Sequence, residues 1–227
     1  MGLLGTGAVA IWHDIAPEGR EEFYAWHGRE HMPERVAIPG FRRGRRYVAI
    51  EADREFFNLY EAEAPDVLTG PDYQARLNDP TPWTVATVRH FRGVARSLCA
   101  VAASAGEGGG GLAATFRYDV DPAAHDGHVK ALGLRFAPLL ASPHVAGAHV
   151  LLADIAASRV DTAERKAREE PNTVPGAVVV IEGWGDEAAF LAALKAHLPP
   201  DALAKDGARE PIAGGVYRLQ ATALAPP

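Results

Sequence analysis

Residues 27 to 35 read HGREHMPER, and the first five match H-x-x-E-H. Two histidines four apart on a helix can reach one zinc ion, with the intervening glutamate as base to its water. On a helical wheel with Phe23 at zero, Glu30 falls at about 340°, Glu34 at about 20°, His27 at about 40° and His31 at about 80°. Four ionisable side chains therefore share one arc. Zinc needs a third protein ligand, and neither the other seven histidines nor Cys99 offers a matching motif. No metal is expected.

Two other chemistries fit the same residues. In the first, His31 shuttles a proton to or from a bound substrate, since an imidazole with a pKa of about 6.5 suits work near neutrality. Glu30 and His27 are then its partners. Trp12, Trp26, Tyr60 and Trp83 supply an apolar wall on which a ring can stack, and Arg43 supplies a cation for a ligand carboxylate or phosphate. In the second, Glu30, His31, Glu34 and Arg35 form a self-paired, charged helix end without chemistry. Pro33 lacks an amide hydrogen and biases Met32 away from helix, so the helix is expected to stop or kink there. That places His31 in the last turn, where the helix dipole favours its protonated form.

The elements that position these residues occur twice. Each half opens with an apolar strand, AVAIWHD or LAATFRYDV, followed by a helix begun at a proline, from Glu18 to about His31 or from Pro122 to about Leu140. Two strands follow, FRRGRRYVAIE and EFFNLYEAE in the first half, AGAHVLLAD and GAVVVIEGW in the second. A second helix comes next, 65 to 77 or 186 to 197, and each half closes with a strand, RHFRGVARSLCAVAA or GGVYRLQATAL. The order is βαββαβ in both, a ferredoxin-like repeat of α+β class. The halves span 1–105 and 112–227, joined by GEGGGG at 106–111, read as a flexible linker that lacks the lysine and spacing of a phosphate loop. Each four-stranded sheet leaves one face bare. Burying the two faces against each other makes an α/β barrel with helices outside, and the space between the sheets is the expected ligand cavity.

Further features refine this reading. In FRRGRRY, strand alternation sends Arg43 and Arg45 to one face and Arg42 and Arg46 to the other. ARLNDPTPWT, 75 to 84, reads as a helix end and a proline-restricted loop whose Asn78, Asp79 and Trp83 can cap a cavity. A charged insert, 155 to 175, separates the middle strands of the second half; a lid or an oligomer contact are both open to it.

Composition narrows the function classes. The 227 residues are 48% apolar with a formal net charge of −6, which argues against general affinity for nucleic acid or anionic lipid. No run reaches the roughly 18 apolar residues of a membrane helix, and the N-terminus lacks the basic start of a secretory signal. A cytoplasmic location is expected, and the single Cys99 agrees with it.

The run from Trp26 through EHMPERVAIPGF, with RRYVAIE, LYEAE and ARLNDPTPWT, resembles the dimeric α/β-barrel superfamily, especially its EthD-like members. His31-Met32-Pro33 is the most specific piece. The resemblance covers residues 5 to 104, and the second half is a degenerate copy without the H-x-P element, so the chain looks like a fused pseudo-dimer. The resemblance implies a monomeric pseudo-dimer or a homodimer binding a small molecule. It also implies one of several activities. The expectation taken from it is a cofactor-independent isomerase, cyclase or lyase acting on a small hydrophobic or aromatic carbonyl compound through His31. A non-catalytic binding barrel and a haem- or oxygen-using oxidoreductase are the alternatives. Fold alone does not choose among them.

Overall fold

The computed structural model describes residues 2–168 and 170–226. The first half contains β1 (Gly7–Ile15), α1 (Arg20–Trp26), a π-helical turn (His27–His31), α2 (Met32–Val36), β2 (Phe41–Ala52), β3 (Phe56–Ala62), α3 (Pro71–Asn78), α4 (Pro82–Val88) and β4 (Phe91–Gly106). The second half contains β5 (Leu112–Asp119), α5 (His125–Leu140), β6 (Val145–Ala153), α6 (Ile155–Ser158), α7 (Ala163–Lys166), β7 (Ala177–Gly183), α8 (Glu187–His197), α9 (Pro200–Lys205) and β8 (Arg209–Leu224).

The eight strands close into one barrel in the order β1-β3-β2-β8-β5-β7-β6-β4, every neighbouring pair antiparallel. Each half supplies four consecutive members, and the halves meet along two seams, β2 with β8 and β4 with β6. Closure leaves neither sheet with a free edge.

Alternation along each strand creates two kinds of core. Inward-pointing Ala8, Ala10, Trp12, Tyr47, Phe57, Leu59, Val178, Val180 and Tyr217 fill the barrel. Outward-pointing residues meet the helices, in the first half through Val9, Phe23, Trp26, Phe56, Tyr60 and Leu98, and in the second through Phe116, Leu132, Phe136, Ile181 and Phe190. The expected cavity between the sheets is therefore taken up by side chains. Aromatic rings occupy its middle, and Arg45, Glu61 and Glu182 occupy one end.

The glycine run is packed over that end. A Cβ at Gly109 would lie 2.8 Å from Glu182 Oε2, and one at Gly110 would lie 1.8 Å from the Gly183 carbonyl oxygen. Glycine is needed here for close approach. The turn IPGF is fixed differently, by Gly40 at φ 87°.

Two local expectations are corrected. The segment after Asn78 is not a loop throughout: Thr81 caps α4 by accepting from the Thr84 amide, and Pro82 takes the first helical position, where no donor is needed. Nor does the first helix stop at Pro33. It passes through the π turn and continues to Val36. The Met32 amide donates to the His27 carbonyl, five residues back. Pro33 has no hydrogen to give, so the widened turn falls where an α-helical ladder would already lack a bond.

Candidate functional site

HGREH is the π turn itself. Widening adds a residue to the turn and brings both histidine rings under the helix, against the outer face of the first-half sheet. His27 and His31 are buried, with ring centroids 5.5 Å apart. Trp26 lies over His31 at 4.3 Å and is held by its Nε1 donating to Thr84 Oγ1 on α4 at 3.1 Å. From the sheet come Tyr60 and Asn58 on β3, His13 on β1, Arg46 on β2 and Arg96 on β4.

The hydrogen bonds fix the tautomers, because arginine and the asparagine amide can only donate. Arg46 Nη1 donates to His27 Nδ1 at 3.3 Å, so His27 Nε2 carries the hydrogen and donates to the Tyr60 hydroxyl at 3.3 Å. Asn58 Nδ2 donates to His13 Nε2 at 2.9 Å, and His13 Nδ1 donates to the Asp14 carbonyl at 3.3 Å. His31 Nδ1 and Asn58 Oδ1 are left without hydrogen-bond partners among the described residues.

Electrostatics keeps these rings neutral. Burial pushes His31 well below the ordinary histidine value, and the charges of Arg35 and Arg168 add to the effect. Burial does the same for His27, helped by His31 and Arg46. His13 falls to about 3, again chiefly through burial. The expectation of a protonated His31 is corrected: desolvation beside two cationic groups outweighs a helix dipole worth about 0.3–1 kcal/mol.

The remaining wall comes from the other half of the chain. The insert carries Glu164 on α7 and Arg168 just beyond it, and both line the cleft with Arg35, Arg96, Tyr73 and Phe91. Glu164 pairs with Arg35 and lies 3.2 Å from Arg168. Burial alone would raise its carboxyl, but Arg35, Arg168 and Arg96 hold it below the usual carboxylate range. Three arginines thus face one carboxylate across the lining. The walls close on fissures so narrow that they leave room for about one water molecule.

The structure separates the residues expected together. His27, His31, Trp26 and Tyr60 line this cleft. Glu30 points away, accepting from Thr81 Oγ1 at 2.6 Å, and Glu34 pairs with Arg76. A helical wheel drawn at 100° per residue does not hold through a π turn. Trp12 and Arg43 are inside the barrel, Trp12 donating to Thr115 Oγ1 and Arg43 to Glu61. Trp83 lies on the far side of α4 and pairs with Glu22. The cause is one of layer. The expected cavity lay between the sheets, whereas the cleft lies between sheet and helices, so outward-facing residues serve it. Asn58, Arg96, Arg168 and Glu164 are lining residues that the sequence reading passed over, and Arg35, read there as part of a self-paired helix end, lines the cleft as well. The alternation in FRRGRRY separated Arg46 from Arg43 and Arg45, and Arg46 meets His27 on the helix-covered face.

The matching place in the second half differs. His128 on α5 bonds the Tyr118 hydroxyl at 2.9 Å and donates to the Asp206 carbonyl at 2.7 Å, so both ring nitrogens are engaged.

No protein-family model matches the sequence, and no curated protein does. Solved structures share its fold. One is described as an anthrone oxidase-like protein, with a TM-score of 0.63 and 15% identity over 97% of this chain and 93% of that one. A monooxygenase candidate from Fusobacterium nucleatum subsp. nucleatum has a TM-score of 0.58 and 8% identity over 98% and 96% of the chains. A haem-binding protein from Thermus thermophilus has a TM-score of 0.53 and 12% identity over 96% and 92%. These names correct the expectation of a cofactor-independent isomerase, cyclase or lyase, since they describe oxidase-like, monooxygenase and haem-binding proteins. At such identities the likeness establishes the fold. That fold is a closed eight-stranded α/β barrel, with both halves of the barrel supplied by one polypeptide.

Proposed function

We propose that this chain is an oxidoreductase of the oxidase or monooxygenase type, acting on a small aromatic molecule with an ionisable oxygen in the first-half cleft. The observation that carries the reading is a pair of buried polar atoms without partners among the described residues, the ring nitrogen His31 Nδ1 and the amide oxygen Asn58 Oδ1, in a cleft whose described lining holds three arginines and one carboxylate. A phenol or enol hydroxyl satisfies such an acceptor. Transfer of its proton to His31 leaves an oxyanion that the neighbouring guanidinium groups stabilise. The imidazole is a weak base while it is buried beside Arg35 and Arg168, and an oxyanion beside it strengthens it.

Removing that proton makes the ring system electron-rich, the form that dioxygen oxidises. For a ring methylene conjugated with the enol, CH2 and O2 give C=O and H2O. The carbon loses two hydrogens and gains one oxygen atom, and the other oxygen atom leaves as water. The chain's residues bind, orient and exchange the proton in this scheme.

A haem group, suggested by the name of the Thermus protein, does not fit this cleft. Both ring nitrogens of His27 and of His13 are engaged, and Trp26 stacks over the face of His31. No step is routed through one.

The test is oxygen uptake with anthrone as substrate and the quinone as product. His31→Ala is expected to lower turnover by about 10²- to 10⁴-fold, the usual contribution of a positioned acid or base. Undiminished uptake by His31→Ala, or no uptake by the wild type, refutes the proposal.

A further inference from the structure

The insert is pinned at both ends and held in its middle by charge. Its first residues run along β4: the Asp154 amide donates to the Leu98 carbonyl at 2.8 Å, and the Leu98 amide donates to Ser158 Oγ at 2.9 Å. Its last residues pair with β4 again, the Arg96 amide donating to the Thr173 carbonyl at 3.0 Å and the Thr173 amide to the Val94 carbonyl at 2.9 Å. Between these anchors, α7 is tied to the first half by the Ala163 amide donating to Asn78 Oδ1 at 3.2 Å and by the pair of Glu164 with Arg35.

Glu164 is 5% exposed and is the one carboxylate among the described lining residues of the cleft. It sits between Arg35 and Arg168, while Arg35 Nη1, Arg168 Nε and His31 Nδ1 have no hydrogen-bond partner among the described residues. A buried guanidinium requires an anion beside it. With the cleft closed to about one water, the side chain that meets this requirement is also the one that fills the space.

We propose that Glu164 is an internal stand-in for an anionic ligand: an aromatic carboxylate or oxyanion displaces it from Arg35 and Arg168, and α7 lifts away as the ligand takes its place. The cleft then selects for ligand charge, because a neutral ring of the same shape must break the Glu164 ion pairs, leaving Arg168 without an anion among the described residues and Arg35 with only Glu34, 3.8 Å away. This inference rests on the same cleft being the ligand site of the proposed function and makes no use of the oxidation.

The experiment compares 1-naphthoate with 1-naphthamide by isothermal titration on wild type, Glu164→Gln and Arg168→Met, with hydrogen exchange of α7 followed in the wild type. The wild type is expected to bind 1-naphthoate about tenfold or more tightly than 1-naphthamide, with faster exchange at Ala163–Lys166 on binding. Glu164→Gln, freed of the competing carboxylate, is expected to bind 1-naphthoate about tenfold more tightly again. Arg168→Met is expected to lose the preference for charge. Equal binding of the two probes, no binding of 1-naphthoate, or unchanged exchange in α7 at saturation overturns the proposal. If Glu164→Gln does not fold, the wild-type preference and exchange decide the matter alone. Oxygen uptake is read separately. Charge-selective binding without oxidation of anthrone retires the oxidase reading and keeps this one. Oxidation with no charge preference in binding does the reverse.

Discussion

Replacing Glu182 with glutamine tests the scaffold that holds the insert over the cleft. Glu182 lies on β7, fully buried inside the barrel, and both its oxygens accept from Arg45 on β2, at 2.9 and 2.8 Å. Arg45 also lies 2.9 Å from Glu61 on β3, so the group ties strands of the two halves together. Burial alone would raise the Glu182 carboxyl, yet contact with His149 and Arg45 brings it from 4.5 down to about 2. A carboxyl lowered on folding contributes stability that is complete above its unfolded value of 4.5 and lost as pH falls through about 2. The gap between 4.5 and 2 corresponds to about 3 kcal/mol at pH 7, and the same relation leaves about 1 kcal/mol at pH 3. Breaking one partner of a buried pair costs about 3–5 kcal/mol, which agrees. Urea unfolding of wild type and Glu182→Gln, followed by circular dichroism from pH 7 down to pH 3, measures the difference directly. Histidine contributions other than that of His149, which lies 3.6 Å from Glu182, are common to both proteins and cancel. A difference that stays constant across this range, or a variant as stable as the wild type at pH 7, refutes the argument.

Other substitutions test other parts. His13 is neutral in the fold, with its value lowered to about 3. The unfolded chain therefore binds more protons below pH 6.5, and stability falls as pH drops from 6.5 toward 3; His13→Phe, among Phe23, Phe56 and Phe91, should flatten that fall in unfolding midpoints. Tyr118→Phe removes the hydrogen bond to His128 and should cost about 1 kcal/mol in urea unfolding. Oxygen uptake should not change, because the first-half cleft is untouched. Gly110→Ala forces a Cβ against the Gly183 carbonyl oxygen and should cost about 1–3 kcal/mol; an unchanged unfolding midpoint would show that the connection between halves yields freely.

The repeat was legible because it is carried by patterns that tertiary structure seldom overrides: apolar strands of fitting length, prolines at helix starts and an order of elements repeated across a glycine run. His27, His31, Trp26 and Tyr60 were legible as a set because three are close in sequence and aromatic or ionisable. Glu30 was misplaced because nothing in HGREH announces a π turn, and one extra residue per turn rotates every later side chain. Trp12 and Arg43 were misplaced because alternation identifies which residues share a face without saying which face is filled. Glu164 and Arg168 were out of reach for another reason. They lie more than a hundred residues from the histidines, and only the order of strands around the barrel brings them near.

That order also explains why one cleft is equipped and the other is not. The two halves have one topology, so each presents a helix-covered sheet face. In the second half the buried histidine His128 is saturated by Tyr118 and the Asp206 carbonyl, while in the first the corresponding layer holds His31 Nδ1 and Asn58 Oδ1 without partners among the described residues. The insert follows β6, and β6 is the strand that closes the barrel against β4. Pairing of Ala153 with Cys99 aims the chain along β4 toward Val94, over the first-half cleft and away from its own. A lid grown between β6 and β7 is thus delivered across the seam. Residues that hold it down, Arg35 and Asn78, belong to the half that carries the histidines. Joining the halves in one chain lets each copy of the repeat diverge, one toward the polar cleft and the other toward the insert that covers it.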